Sequence, residues 1–153
     1  MAEQDRTLIS VEGLNWYYGN NHVLKDISLN FRKGKLISIL GPNGSGKTTL
    51  LRNLTAGLKP EQERVFLRGK DILSYSNREL ARNLAFVPQN TYVDFEFSTL
   101  DIVLMGRQPY LGRFENEGLA DIEIAREAME QTATWEFRDR LVTHLSGGEI
   151  QRV

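Results

Sequence analysis

Gly41-Pro42-Asn43-Gly44-Ser45-Gly46-Lys47-Thr48 decides how this chain is read, because it fits the spacing G-x-x-x-x-G-K-[ST] at every fixed position. At average residue frequencies those four positions coincide in a chain of 153 residues less than about once in a hundred. Each position has a physical role. Glycines adopt backbone angles closed to other residues, so that successive N–H groups converge on phosphate oxygens, and the positive end of a following helix adds to the attraction. Lys47 brings a compact cation to the β- and γ-phosphates, and the Thr48 hydroxyl is a Mg²⁺ ligand. The loop from Gly41 to Thr49 therefore reads as a cradle for the phosphates of a nucleotide, and by itself it does not choose among ATPases, GTPases and kinases.

The flanks supply the context such a loop requires. Before it, Leu36-Ile37-Ser38-Ile39-Leu40 is short, nearly all apolar and ends at a glycine, which predicts a strand buried on both faces of a parallel sheet. After it, Thr48 to Ala56 has helical residues, and Gly57 with Pro60 marks a stop. Further out, Leu8 to Val11 and Trp16 to Tyr18 predict one strand and Val23, Leu24, Ile27, Leu29 and Phe31 a second, joined at Gly19-Asn20-Asn21. This is a small antiparallel β-unit, with Trp16 and Tyr18 on one face and Tyr17 on the other.

Beyond the loop, Arg64 to Leu67 and Leu84 to Val87 read as short strands around a helix at Asn77 to Arg82. Thr99 is a candidate N-cap for a helix through Leu100, Val103 and Leu104 to Gly106, and Leu119, Ile122, Ala125 and Met129 repeat at helical spacing. The change from strands to helices near Gln89 is the only subdivision. No repeat, low-complexity tract or linker interrupts the chain. The expected organisation is one domain: 1–89 β-subdomain and phosphate-loop core, about 90–145 a helical subdomain, and 146–153 the start of a further helix.

Composition bounds the function. A hydrophobic fraction of 41% and a charged fraction of 25% belong to a folded globular chain, and a net charge of -1 offers no overall attraction to nucleic acid. With no cysteine there is no disulfide framework and no thiolate metal site. Met1 to Arg6 lacks the pattern of a secretion signal, and no stretch reaches the ~20 apolar residues that span a bilayer. His22 and His144 show no ligand-like grouping, and Glu123, Arg126 and Glu127 read as the solvated face of a helix.

A second constellation stands near the other end. In Leu145-Ser146-Gly147-Gly148-Glu149-Ile150-Gln151-Arg152, Ser146 can cap a helix whose first N–H groups Gly147 and Gly148 leave uncovered, which makes a second anion site. This segment resembles the LSGGQ signature of ABC ATPases, with Glu149 where glutamine is common, and it follows the phosphate loop in the family's order. The chain is thus identified as a member of the ABC transporter ATP-binding subunits, N-terminal part only. The resemblance implies an α/β phosphate-loop NTPase core with an antiparallel β-subdomain and a helical subdomain, C-terminal core strands missing.

The resemblance also assigns roles. Gln89, in Val87-Pro88-Gln89, matches the family's Q-loop glutamine and would contact Mg²⁺ and attacking water. Tyr18 is similar to the family's aromatic residue that stacks on adenine, with Tyr17 and Trp16 as competitors. Leu145 to Glu149 would meet the ATP held by a second copy in a head-to-tail dimer. Leu104 to Arg113 looks like a segment of ATPases that energise uptake of ferric siderophores, haem or cobalamin. Tyr92, Val93, Phe95 and Phe97 fall where the family docks its membrane permease, or else pack within the helical part. The implied setting is the cytoplasmic face of the plasma membrane, peripheral through the permease and indirectly coupled to a substrate-binding protein.

No apolar four-residue run ending in Asp-Glu occurs in the sequence, so the family's Walker B aspartate and the glutamate that polarises water have no counterpart here. Glutamine is too weak a base to replace a carboxylate. The expectation is a stretch that binds ATP and does not turn it over alone. Alternatives are a nucleotide-binding module without hydrolysis and a soluble ABC ATPase of translation or repair. A phosphate-loop kinase or GTPase is disfavoured by Leu145 to Glu149, and a GTPase also by the absence of an Asn-Lys-x-Asp motif.

Overall fold

The computed structural model describes residues 7–61, 63–89 and 95–153, in two compact units, Met1–Phe86 and Val87–Val153. Tyr92 and Val93, like Met1 to Arg6, lie outside the described residues.

The first unit is built on the expected hairpin. Strands β1 (Thr7–Tyr18) and β2 (Asn21–Arg32) pair antiparallel across the two-residue turn Gly19-Asn20, where Gly19 has φ 56°. β3 (Val65–Leu67) adds to the other edge of β1, and β4 (Lys70–Asp71) follows it, giving the order β2-β1-β3-β4. Alternation decides the faces: Val11, Val65 and Leu67 point into the core, while Glu12 and Arg68 are exposed. Helix α1 (Lys47–Leu54) lays Thr49, Leu50, Asn53 and Leu54 inward at helical spacing. Leu50 and Leu54 join Val11, Leu14, Leu24, Val65 and Ile72 in one apolar cluster. Burying each such side chain is worth about 1.5–3 kcal/mol. Helix α2 (Asn77–Asn83) closes the unit, capped by Ser76 and Glu79 reciprocally.

Two sequence expectations fail in this unit. Leu36 to Leu40 is not a strand: no described strand pairs with it, Leu36 is 99% and Leu40 91% exposed, and only Ile39 packs on the core. Leu84 to Val87 forms no strand either. Both runs have the composition of buried strands, but strand structure requires a neighbour to take the backbone N–H and C=O groups. Among the described residues neither run has one.

The second unit is helical: α3 (Thr99–Met105), α4 (Leu119–Gln131) and α5 (Gly147–Arg152). Its buried apolar side chains are Leu111, Ala125, Met129, Val142 and Leu145. The cap of α3 is Ser98, one residue before the expected Thr99. Ser98 and Asp101 form the reciprocal cap, while the Thr99 hydroxyl donates to the Arg140 carbonyl at 2.9 Å. Three backbone bonds, Thr99 N–H to Arg140 O, Leu100 N–H to Arg138 O and Val142 N–H to Phe97 O, fasten the start of α3 to the segment that leads into α5. At the far end of α3, the half-buried Arg107 Nε and Asp121 Oδ1 pair at 2.9 Å, which holds the Asp121 carboxyl below its usual range. No described helix is long and apolar enough to cross a membrane.

Candidate functional site

The loop from Gly41 to Thr49 is shaped by two left-handed glycines. Gly44 has φ 80° and Gly46 φ 89°, backbone that L side chains rarely adopt. Gly46 is fixed by packing as well. A Cβ there would lie 2.9 Å from Leu24 Cδ2 and 3.2 Å from Val23 Cγ1, so the loop sits directly against β2. At Gly41 a Cβ would lie 2.8 Å from Ser45 Oγ.

Lys47 folds back along this loop, donating to the carbonyls of Gly41 at 2.9 Å and Pro42 at 2.8 Å. Its ammonium is thereby held beside the same backbone that turns through Gly44 and Gly46. The helix behind it begins unusually. α2, α3 and α5 each carry a reciprocal side-chain cap, whereas Gly46 gives α1 no side-chain acceptor and its first turn has no acidic residue. The positive end of α1 is therefore not offset by a side chain of its own, the condition under which a helix start attracts an anion. Burial of Thr49 and Leu50 anchors the helix start and leaves Thr48 exposed. An exposed hydroxyl beside a cation and an uncapped helix start suits a Mg²⁺-bound triphosphate.

The three aromatic residues at the hairpin tip separate by environment. Trp16 is half-buried against the core, Tyr17 is 53% exposed and Tyr18 47% exposed. Tyr17 stacks on His22 at 4.0 Å and 14°, while Tyr18 meets only the edge of Trp16, at 6.1 Å and 74°. Tyr18 pairs with Asn21 across the turn, two residues before Val23, which touches Gly46. Along a strand that separation is about 7 Å, so the hairpin tip stands close to the loop.

In the second unit, Ser146 caps α5 and Glu149 completes the cap, its carboxylate accepting from the Ser146 N–H at 2.6 Å. Hydrogen bonds from the Ser146 hydroxyl and backbone hold the Glu149 carboxyl below the usual glutamate range, and Arg140 lies 3.9 Å away. Sequence reasoning missed this role of the fifth signature position, although Ser-x-x-Glu was the available signal. Leu145 is buried and holds the motif to the unit. Gly147 and Gly148 are different from Gly46: a Cβ on either would meet nothing within 4 Å, and neither has positive φ. Gln89 is exposed, as are Phe95 and Phe97, whose rings lie 6.1 Å apart.

Residues 24–153 match the family described as "ABC transporter". The chain belongs to that family. Among its relatives, the ABC transporter ATP-binding protein YvrA of Bacillus subtilis is 42% identical over 146 residues, 95% of this chain and 33% of YvrA. The cobalamin import ATP-binding protein BtuD of Halobacterium salinarum is 38% identical, over 95% of this chain and 36% of its own length. The hemin import ATP-binding protein HmuV of Pseudomonas putida is 39% identical, over 95% and 56%. A metal-chelate-type ABC transporter solved in an inward-facing conformation aligns with TM-score 0.74 and 30% identity, over 96% of this chain and 55% of that one. This member of the family thus spans between a third and just over half the length of those relatives.

Proposed function

We propose that this chain is the nucleotide-binding front of the ATP-binding subunit of an importer. The observation that carries the reading is the uncapped start of α1 behind a loop with two left-handed glycines and Lys47 folded along it. In this reading the N–H groups from Gly41 through Thr49, with Pro42, Asn43, Gly44, Ser45 and Gly46 shaping the turn, cradle the triphosphate. Lys47 neutralises the β- and γ-phosphates, Thr48 ligates Mg²⁺, Tyr18 stacks on adenine, and Gln89 reaches the metal and attacking water. ATP supplies the free energy when hydrolysed; the residues here bind and orient it.

Leu145, Ser146, Gly147, Gly148 and Glu149 serve the nucleotide of a second copy. Glycine in a helix costs up to about 1 kcal/mol each against alanine, and neither backbone angle nor packing among the described residues requires it at Gly147 or Gly148. A close approach from outside the chain is the remaining physical use of a missing side chain. Membrane permease subunits, a substrate-binding protein and a place on the cytoplasmic membrane face belong to the same proposal. The cargo class, iron chelates, haem or cobalamin, rests on the segment Leu104 to Arg113 and on relatives named for hemin and cobalamin import.

A second reading is a nucleotide-binding module that binds ATP without hydrolysing it. One experiment tests both. Mg²⁺-ATP affinity and steady-state phosphate release are measured for the wild type and Lys47→Ala. Loss of a charge-assisted contact of about 1.5–3 kcal/mol is expected in the variant. Equal ATP affinity in the two proteins would sink the assignment of the loop, and binding without phosphate release would favour the second reading.

A further inference from the structure

Tyr18 is the last residue of β1 and forms with Asn21 the final cross-strand pair before a two-residue turn, so the ladder supports its backbone from one side only. A ring used for stacking gains affinity only if it is already oriented, since ordering it on binding would cost free energy. The structure contains a device that orders this tip from the opposite face.

Tyr17 and His22 are direct cross-strand partners, and their rings stack at 4.0 Å and 14°. His22 is tied down at its edge, with Nε2 2.9 Å from Asn15 Oδ1. The same oxygen accepts from the Asp26 N–H at 3.0 Å, and Asn15 Nδ2 donates to the Gly13 carbonyl at 3.0 Å. These bonds fix the orientation of the Asn15 amide. Its oxygen can only accept, so His22 must carry its proton on Nε2 and donate. The chain of contacts runs from the irregular stretch of β1 around Gly13, through Asn15, to His22 on β2 and back to Tyr17 on β1. Because successive residues point to opposite faces of a strand, fixing Tyr17 from one side fixes the backbone from which Tyr18 projects to the other. His22 also covers a face of Tyr17, leaving Tyr18 the exposed aromatic of the hairpin tip whose ring face has no stacked partner among the described residues.

We infer that His22, held by Asn15 and stacked on Tyr17, is a positioning residue that presents the Tyr18 ring to the nucleotide base and so sets the share of affinity drawn from the base rather than from the phosphates. This rests on the reading of Tyr18 and the phosphate loop given above. His22 touches no ligand itself and acts only through the hairpin tip.

The test compares two probes, Mg²⁺-ATP and Mg²⁺ inorganic tripolyphosphate, on the complete subunit as wild type, Tyr18→Ala, His22→Ala and the double variant. Thermal melts are recorded alongside. His22→Ala is expected to weaken ATP about fivefold, the low end of what a base stack contributes, and to leave tripolyphosphate unchanged. In the Tyr18→Ala background the same change should have no further effect on ATP, because the two residues act in series. His22→Phe, which keeps a stacking ring, should recover part of the loss. Equal weakening of both probes would mean that His22 only stabilises the fold, and an undiminished effect in the Tyr18→Ala background would mean that it does not act through Tyr18. Either result overturns the inference, as does unchanged ATP affinity. Failure of the wild type to bind tripolyphosphate would instead strike at the phosphate-loop reading on which the inference stands.

Discussion

Gly46 and Gly148 occupy comparable positions in the two motifs, each at the start of a helix, and the chain treats them in opposite ways. At Gly46 an alanine would have to hold φ near 89° with its Cβ 2.9 Å from Leu24 Cδ2. The left-handed backbone costs roughly 1–2 kcal/mol and the overpacking typically about 1–3 more. Gly46→Ala is therefore expected to lower the unfolding midpoint clearly. Gly148→Ala meets open space and ordinary backbone, so it should be neutral or stabilising by up to about 1 kcal/mol, while weakening the ATP-driven pairing of two copies. Thermal unfolding and sedimentation velocity with Mg²⁺-ATP measure the two effects. Similar destabilisation by both substitutions would remove the argument for an outside partner at Gly148. The sequence made both glycines visible as motif positions, but only coordinates show that one is demanded by its own fold.

Elements were legible wherever the signal and its cause lie close together in the chain. The hairpin was marked by alternation around Gly19, α4 by its apolar spacing and α5 by Ser146, whereas α1 ends at Leu54, short of the expected Ala56, with Ala56 rather than Gly57 taking the left-handed position after it. The cap of α3 slipped by one residue because Ser98 and Thr99 both offer a hydroxyl, and a contact with Arg140, distant in sequence, takes the second. Leu36 to Leu40 was read as a strand on composition that only a distant partner could turn into one. α5 carries its own pH test. The Glu149 carboxyl is held below the usual glutamate range chiefly by the Ser146 side chain and then by its backbone, so the cap's contribution is complete above that range. It is lost as pH falls through the lowered value. Amide hydrogen exchange of 147–152 should therefore quicken on acidification beyond the change in intrinsic rate. Glu149→Gln keeps a capping acceptor that does not titrate and should flatten this response. An unchanged acid response in the glutamine variant would assign the effect to another group.

At the scale of the whole molecule, the chain is a mixture of satisfied and unsatisfied surfaces. The sheet and α1 share a closed core, yet Leu36, Ile37 and Leu40 stand exposed beside it in a run shaped for burial. A net charge of -1 gives little repulsion to keep copies apart. Extended apolar backbone with unpaired N–H and C=O groups is the kind of surface that pairs with another chain. The 153-residue chain is therefore expected to self-associate with rising concentration, and Leu36→Ser with Leu40→Ser to reduce that association. Because Leu36 is 99% and Leu40 91% exposed, the double variant should change the chain's own stability by no more than about 0.5 kcal/mol per site. If a protein of the relatives' full length buries this run as its composition predicts, the same changes should there cost at least about 2 kcal/mol per site, because each would leave a buried polar group or cavity. Sedimentation velocity and chemical denaturation of both forms read the contrast. A large loss of stability in the 153-residue chain would show that Leu36 and Leu40 are already covered there. Equal tolerance in the longer form would show that this run is not a core strand, and the strand preceding the phosphate loop would have to be sought elsewhere.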